Sequence, residues 1–156
     1  MGCAPSKAAT TEARAVAPSY RPTLASDEQE YAELSEKLFS NAGKARTLKQ
    51  NEVLIEEGKM TLSFFYIREG EVSLIKKSAD GTPDKQIAKR SKGNIIGEMS
   101  FLTGEAPGVT IIAKSPTVSV WEVEHSRVLA QLQSNPHDLG LLFKMMATYL
   151  GDRISE

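Results

Sequence analysis

The segment Gly93–Thr110, GNIIGEMSFLTGEAPGVT, holds the residues best suited to chemistry in this chain. Gly97-Glu98 precedes a single apolar turn, Met99–Leu102, and Gly104 follows it. The start of a helical turn leaves backbone N–H groups without intrahelical partners, and those groups attract anions. A carboxylate beside them, Glu98, accepts hydrogen bonds from a pair of hydroxyls. Anion-seeking N–H groups next to a hydroxyl-seeking carboxylate suit a sugar phosphate.

Other chemistries find little support. There is one cysteine, Cys3, so no internal disulfide can form. The two histidines, His125 and His137, have no cysteine to join them in a metal site, and both read as surface residues near helix starts. No nucleophile–base–acid set can be assembled, so the chain is not expected to be an enzyme, and no cofactor or metal is expected. A net charge of −1 and a pI near 6.2 provide no broad basic field for nucleic acid. No apolar run is long enough to span a bilayer, and no signal-peptide core is visible.

The elements that must hold the segment follow from periodicity. The 156 residues, 40% hydrophobic and 25% charged, suit one globular domain. Residues 1–25 are rich in Ala, Pro, Ser and Thr without a period, and read as a flexible tail. Ser26 with Gln29 forms a capping-box pattern, and Tyr31, Leu34 and Leu38 predict a helix over Asp27–Ser40. From Lys44 to Val123 the period shortens. The expected strands are Ala45–Leu48, Val53–Ile55, Ser63–Arg68, Glu71–Lys76, Gln86–Arg90, Asn94–Ile96, Val109–Lys114 and Thr117–Val123. Trp121 reads as a core-edge aromatic, and Lys76-Lys77 and Lys89-Arg90 as solvated strand ends. Helical spacing returns in Ser126–Gln133. After Asn135-Pro136, an N-cap with proline at the first helical position, it runs through Leu139, Leu142, Met146, Tyr149 and Leu150. That last face meets no stop signal before Glu156, as expected of a chain that ends within a helix. Many short strands with flanking helices predict a mainly β fold, a sandwich or jelly roll with one N-terminal and two C-terminal helices.

Several ordered pieces agree with one family. Glu52-Val-Leu-Ile55 with Gly58, the hairpin Phe65–Val72, Gly93 and Gly97-Glu98 together resemble the cyclic-nucleotide-binding domain family over about Asp27 to Glu156. The domain expected is 26–156. The resemblance implies a non-catalytic regulatory module for cAMP or cGMP. In it Glu98 accepts from the ribose 2′-hydroxyl, Gly97 allows close backbone approach, and the N–H groups of Met99 and Ser100 face the exocyclic phosphate oxygens. The side chains of Met99, Phe101 and Leu102 read as core. It also implies a lid, His137–Ser155, with Tyr149 or a nearby apolar residue over the base. One departure bears on affinity. Where the family carries Pro-Arg, this chain has Ala106-Pro107, and the Arg that pairs the cyclic phosphate is missing. Gly108 and Val109 supply no hydroxyl after it, and Thr110 is the nearest that survives. The cassette on this reading is Gly97–Ser100 with Pro107–Thr110, and the site is weakened. The alternative is a degenerate, ligand-free fold that serves as a scaffold, with protein partners on its C-terminal helices.

Met1-Gly2-Cys3-Ala4-Pro5-Ser6 matches the N-myristoylation pattern, with Cys3 placed for S-palmitoylation. One acyl chain binds membrane marginally and two bind it stably. The expected location is thus the cytoplasmic face of a membrane in a eukaryotic cell, and otherwise the cytoplasm.

Overall fold

A computed structural model describes residues 24–154, and the side chains of 28–151. Gly2, Cys3 and the tail expected to be flexible lie outside the described residues, as does Ser155 at the end of the expected lid.

The order is helix α1 (Leu24–Ala42), then strands β1 (Lys44–Lys49), β2 (Val53–Ile55), β3 (Ser63–Glu69), β4 (Glu71–Lys76), β5 (Lys85–Ser91) and β6 (Ile95–Ile96). Helix α2 (Glu98–Thr103) follows, then β7 (Thr110–Ala113), β8 (Thr117–Glu124), α3 (His125–Leu132) and α4 (Pro136–Ile154). Two four-stranded antiparallel sheets face each other, in the orders β1-β8-β3-β6 and β2-β7-β4-β5. The expected strands and the β-sandwich with flanking helices are therefore present. Four helices stand among the described residues, because the apolar turn after Gly97 is itself a helix. Helix α1 begins at Leu24, so Ser26 lies inside it and not before its first turn. The cap at Asn135 does form: its side-chain oxygen accepts from the Asp138 N–H at 3.2 Å.

Strand β3 shows how the sequence builds two cores. Phe64, Phe65, Tyr66 and Ile67 form a continuous apolar run, with no alternation, because both faces of the strand are covered. Phe65 and Ile67 point between the sheets, where they meet Leu48, Val72, Ile96 and Val120. Phe64 and Tyr66 point the other way, into a second core with Leu38, Phe39, Val128, Leu142 and Met146 of the helices. Trp121 is half-buried at the edge of that second core and stacks on Tyr66, with ring centroids 5.8 Å apart. The Arg68 guanidinium lies 4.4 Å from the Trp121 ring centroid, which covers its outer face.

Helix α4 is tied to α1 by apolar packing and by three polar contacts. The Lys37 ammonium donates to Asp138 at 2.9 Å, the Ser35 hydroxyl to the Met145 sulfur at 3.6 Å, and Tyr31 and Thr148 share a bond of 3.4 Å. Lys37 is exposed, so its ion pair contributes at most about 1 kcal/mol. Burial of Leu142, Met145 and Met146, all within 1% of fully covered, stabilises the pairing more. No helix among the described residues is long and apolar enough to cross a membrane.

Candidate functional site

Short strand β6 pairs with β3 through Ile96↔Phe65 and Ile95↔Tyr66, and this pairing brings Gly97 against the β3 backbone. Gly97 adopts φ 93°, ψ −1°, in the left-handed region. A Cβ there would run into the Ser63 carbonyl oxygen. Glycine is thus required twice, for its dihedral and for the close approach. The turn it makes starts α2, and Gly104 ends α2 by donating its N–H to the Ser100 carbonyl at 3.0 Å.

The loop after α2 is held from below. The Gly58 N–H donates to the Pro107 carbonyl at 2.9 Å, and the Lys76 ammonium donates to the Gly108 carbonyl at 2.9 Å and to the Glu57 carboxylate at 2.7 Å. The Glu57 carboxyl is held below its ordinary pKa by the Lys76 hydrogen bond first, then by the Lys77 N–H. Thr110 is buried, and its hydroxyl oxygen accepts from the Glu57 N–H at 3.1 Å, so it anchors the loop.

Between α2, this loop and the inner face of the second sheet lies a cavity of about 590 Å³. That volume is ample for a drug-sized ligand. Six of the eight cassette residues line it: Gly97, Met99 and Ser100 on one side, Pro107, Gly108 and Val109 on the other. Strand residues Ile55, Leu74, Ala88 and Ile111 make an apolar wall opposite. Thr110 does not line the cavity, and neither does Glu98, which is 1% exposed on the covered side of α2. Tyr149 packs on the helical core, and among the described residues none of α4 lines the cavity. The helix expected as a lid therefore lies against α1 in this conformation.

Several side chains lie where periodicity did not place them. Met99 and Leu102 are 39% and 37% exposed, not core, because α2 is too short to cover more than one side. Phe101 is the apolar α2 side chain that packs inward, beside the covered Glu98 and Ser100, with ring centroids 5.1 Å from Phe64 and 6.0 Å from Phe143 of α4. His125 is not at the surface. It is 8% exposed, wedged 4.3 Å from the Phe64 ring and 5.2 Å from the Phe101 ring. Burial lowers its pKa, and the nearby backbone of Gly97 and Ser63 offsets part of that shift. The start of α3 thus lies under the cassette, which spacing alone did not show. Arg90, expected at a solvated strand end, is half-buried and lines the cavity together with Glu105. The signal was its place in the pairing: Arg90 stands opposite Val72, a residue of the inter-sheet core.

No group of three or more His, Cys, Asp or Glu placed to hold a metal ion occurs among the described residues. The cavity has strand residues as an apolar wall on one side and Gly97, Met99 and Ser100 of the turn on the other.

Residues 45–135 match the family described as the cyclic nucleotide-binding domain. Over 105 residues, 67% of this chain, the sequence is 30% identical to a cGMP-dependent protein kinase of Eimeria tenella, and the match spans 9% of that protein. A cyclic nucleotide-binding domain from Methylobacillus flagellatus KT superposes with a TM-score of 0.63 at 21% identity, covering 82% of each chain. The regulatory domain of Toxoplasma gondii PKA, solved with cAMP, gives a TM-score of 0.59 at 17% identity, covering 80% of this chain and 51% of the other. At these identities the likeness to the solved structures is one of fold.

Proposed function

The chain belongs to the cyclic nucleotide-binding domain family, and on that premise we propose that it is a non-catalytic regulatory module whose cavity takes a purine cyclic nucleotide. The observation that carries this reading is the roughly 590 Å³ cavity walled by Gly97, Ser100 and Pro107–Val109 on the cassette side. The purine would lie on the apolar wall of Leu74, Ala88 and Ile111, with the sugar phosphate toward the start of α2. Glu98 would serve the ribose hydroxyl after a small outward movement, since its side chain is covered here.

The loop contributes no cation, because Pro107 has neither charge nor N–H. Loss of one partner of a buried charge pair costs on the order of 2–5 kcal/mol, a factor of tens to thousands in affinity. Binding is therefore expected to be weaker than in Arg-bearing relatives. Calorimetric titration with cAMP and cGMP tests the reading. Micromolar or tighter binding that Glu98→Ala abolishes supports it. Absence of any binding favours the ligand-free scaffold, for which Pro107 is the supporting feature.

The N-terminus bears on location. Acyl chains on Gly2 and Cys3 would hold the module at the cytoplasmic face of a membrane. In a eukaryotic cell Gly2→Ala should release the protein from membranes, and Cys3→Ser should weaken its retention. Unchanged partitioning of both variants would refute the anchor.

A further inference from the structure

Strand β5 carries Arg90 on its inner face. In an antiparallel pair, directly opposed residues point to the same side of the sheet. Ala88 opposes Leu74 and Arg90 opposes Val72; Leu74 and Val72 are buried in the inter-sheet core. Lys89, between them in sequence, points out toward Glu71 at 4.0 Å. An arginine beside an apolar wall can lay its stem along that wall while its charged head stays in contact with water. The Arg90 Nη1 donates to the Lys89 carbonyl at 2.8 Å, which orients the head. A guanidinium has five N–H donors in a planar fork and can serve several acceptors at once.

Other cations lie elsewhere. Lys76 is bound to Glu57 and to the Gly108 carbonyl outside the cavity, and Lys114 lies 3.7 Å from Glu71 on the far side of the sheet. Among the described residues, Arg90 is the one Lys, Arg or His that lines the cavity, which it shares with Ser100 and Pro107 of the cassette. Glu105, the carboxylate of that lining, repels an anion unless a cation answers it.

We propose that Arg90, reaching in from β5, supplies the positive charge for the cyclic phosphate that the cassette loop does not supply. The inference rests on the cyclic-nucleotide reading given above. It makes Arg90 the residue by which this cavity prefers a monoanionic cyclic nucleotide to the corresponding neutral nucleoside.

The test is calorimetric titration with cAMP against adenosine, and cGMP against guanosine, for the wild type, Arg90→Gln, Arg90→Leu and the double variant Arg90→Gln/Pro107→Arg. Arg90→Leu suits the apolar wall and serves if the Gln variant folds poorly. The wild type should prefer the cyclic nucleotide by about tenfold to a hundredfold over its nucleoside. Arg90→Gln and Arg90→Leu should lose that preference and leave nucleoside affinity within about twofold. Moving the charge to the loop in the double variant should restore it. Arg90 variants that bind cyclic nucleotide as the wild type does overturn the assignment and leave the cyclic-nucleotide reading intact. Equal wild-type affinity for nucleotide and nucleoside overturns the assignment as well. A wild type that takes none of the four ligands overturns the functional reading and the assignment together.

Discussion

Replacing Gly97 by alanine separates two demands that the cassette places on one residue. Gly97 has φ +93°, and Gly93, four residues earlier, has φ +92°. A Cβ at Gly93 meets nothing within 4 Å, whereas one at Gly97 runs into the Ser63 carbonyl. The left-handed conformation costs a non-glycine residue about 1–2 kcal/mol at either site. The steric clash, present at Gly97 alone, adds about 1–3 kcal/mol by analogy with overpacking. Gly93→Ala should therefore lose about 1–2 kcal/mol and Gly97→Ala about 2–5 kcal/mol. Against a total stability of about 5–15 kcal/mol the second loss is severe but survivable. Urea unfolding followed by circular dichroism measures both. With a slope near 2 kcal/mol/M, Gly97→Ala should move the midpoint down by about 1–2.5 M. Gly97→Ala should also displace α2 and reduce ligand affinity, and Gly93→Ala should not. Equal midpoints for the two variants would refute the claim that β6 packs Gly97 against β3.

His125 makes stability depend on pH. Its folded pKa lies below the ordinary 6.5, so the folded state binds fewer protons than the unfolded chain. Stability from this group is complete above pH 6.5 and is lost as pH falls through the lowered value, with a slope of at most about 1.4 kcal/mol per pH unit. Unfolding followed between pH 7.5 and 5.5 should show that slope in the wild type and lose it in His125→Phe; an unchanged slope would rule out His125 as the source. Leu142→Ala should cost about 2–5 kcal/mol by thermal unfolding, because Leu142 is 1% exposed between α1 and β3. Leu129→Ser, at an exposed position of α3, should stay within about 0.5 kcal/mol, and a larger loss would place α3 differently.

Local order was legible wherever it depends on neighbours in sequence. The strands Val53–Ile55 and Glu71–Lys76 lie where turn residues and apolar runs place them, and Pro136 starts the last helix after Asn135. Turn chemistry and capping act over a few residues, so one chain carries them in full. The run Gly97–Gly104 announced a single apolar turn between strands, and six of the eight residues picked for the cassette do meet at one cavity. Which side chains face that cavity was decided by contacts distant in sequence. Glu98 is covered because α2 turns it inward, and His125 is buried because Phe64 and Phe101, 61 and 24 residues away, close over it. Arg90 looks like its neighbour Lys89 in the sequence. Only the register with β4 gives the two residues opposite faces, because a strand turns successive side chains to opposite sides and the sheet partner decides which side is inside.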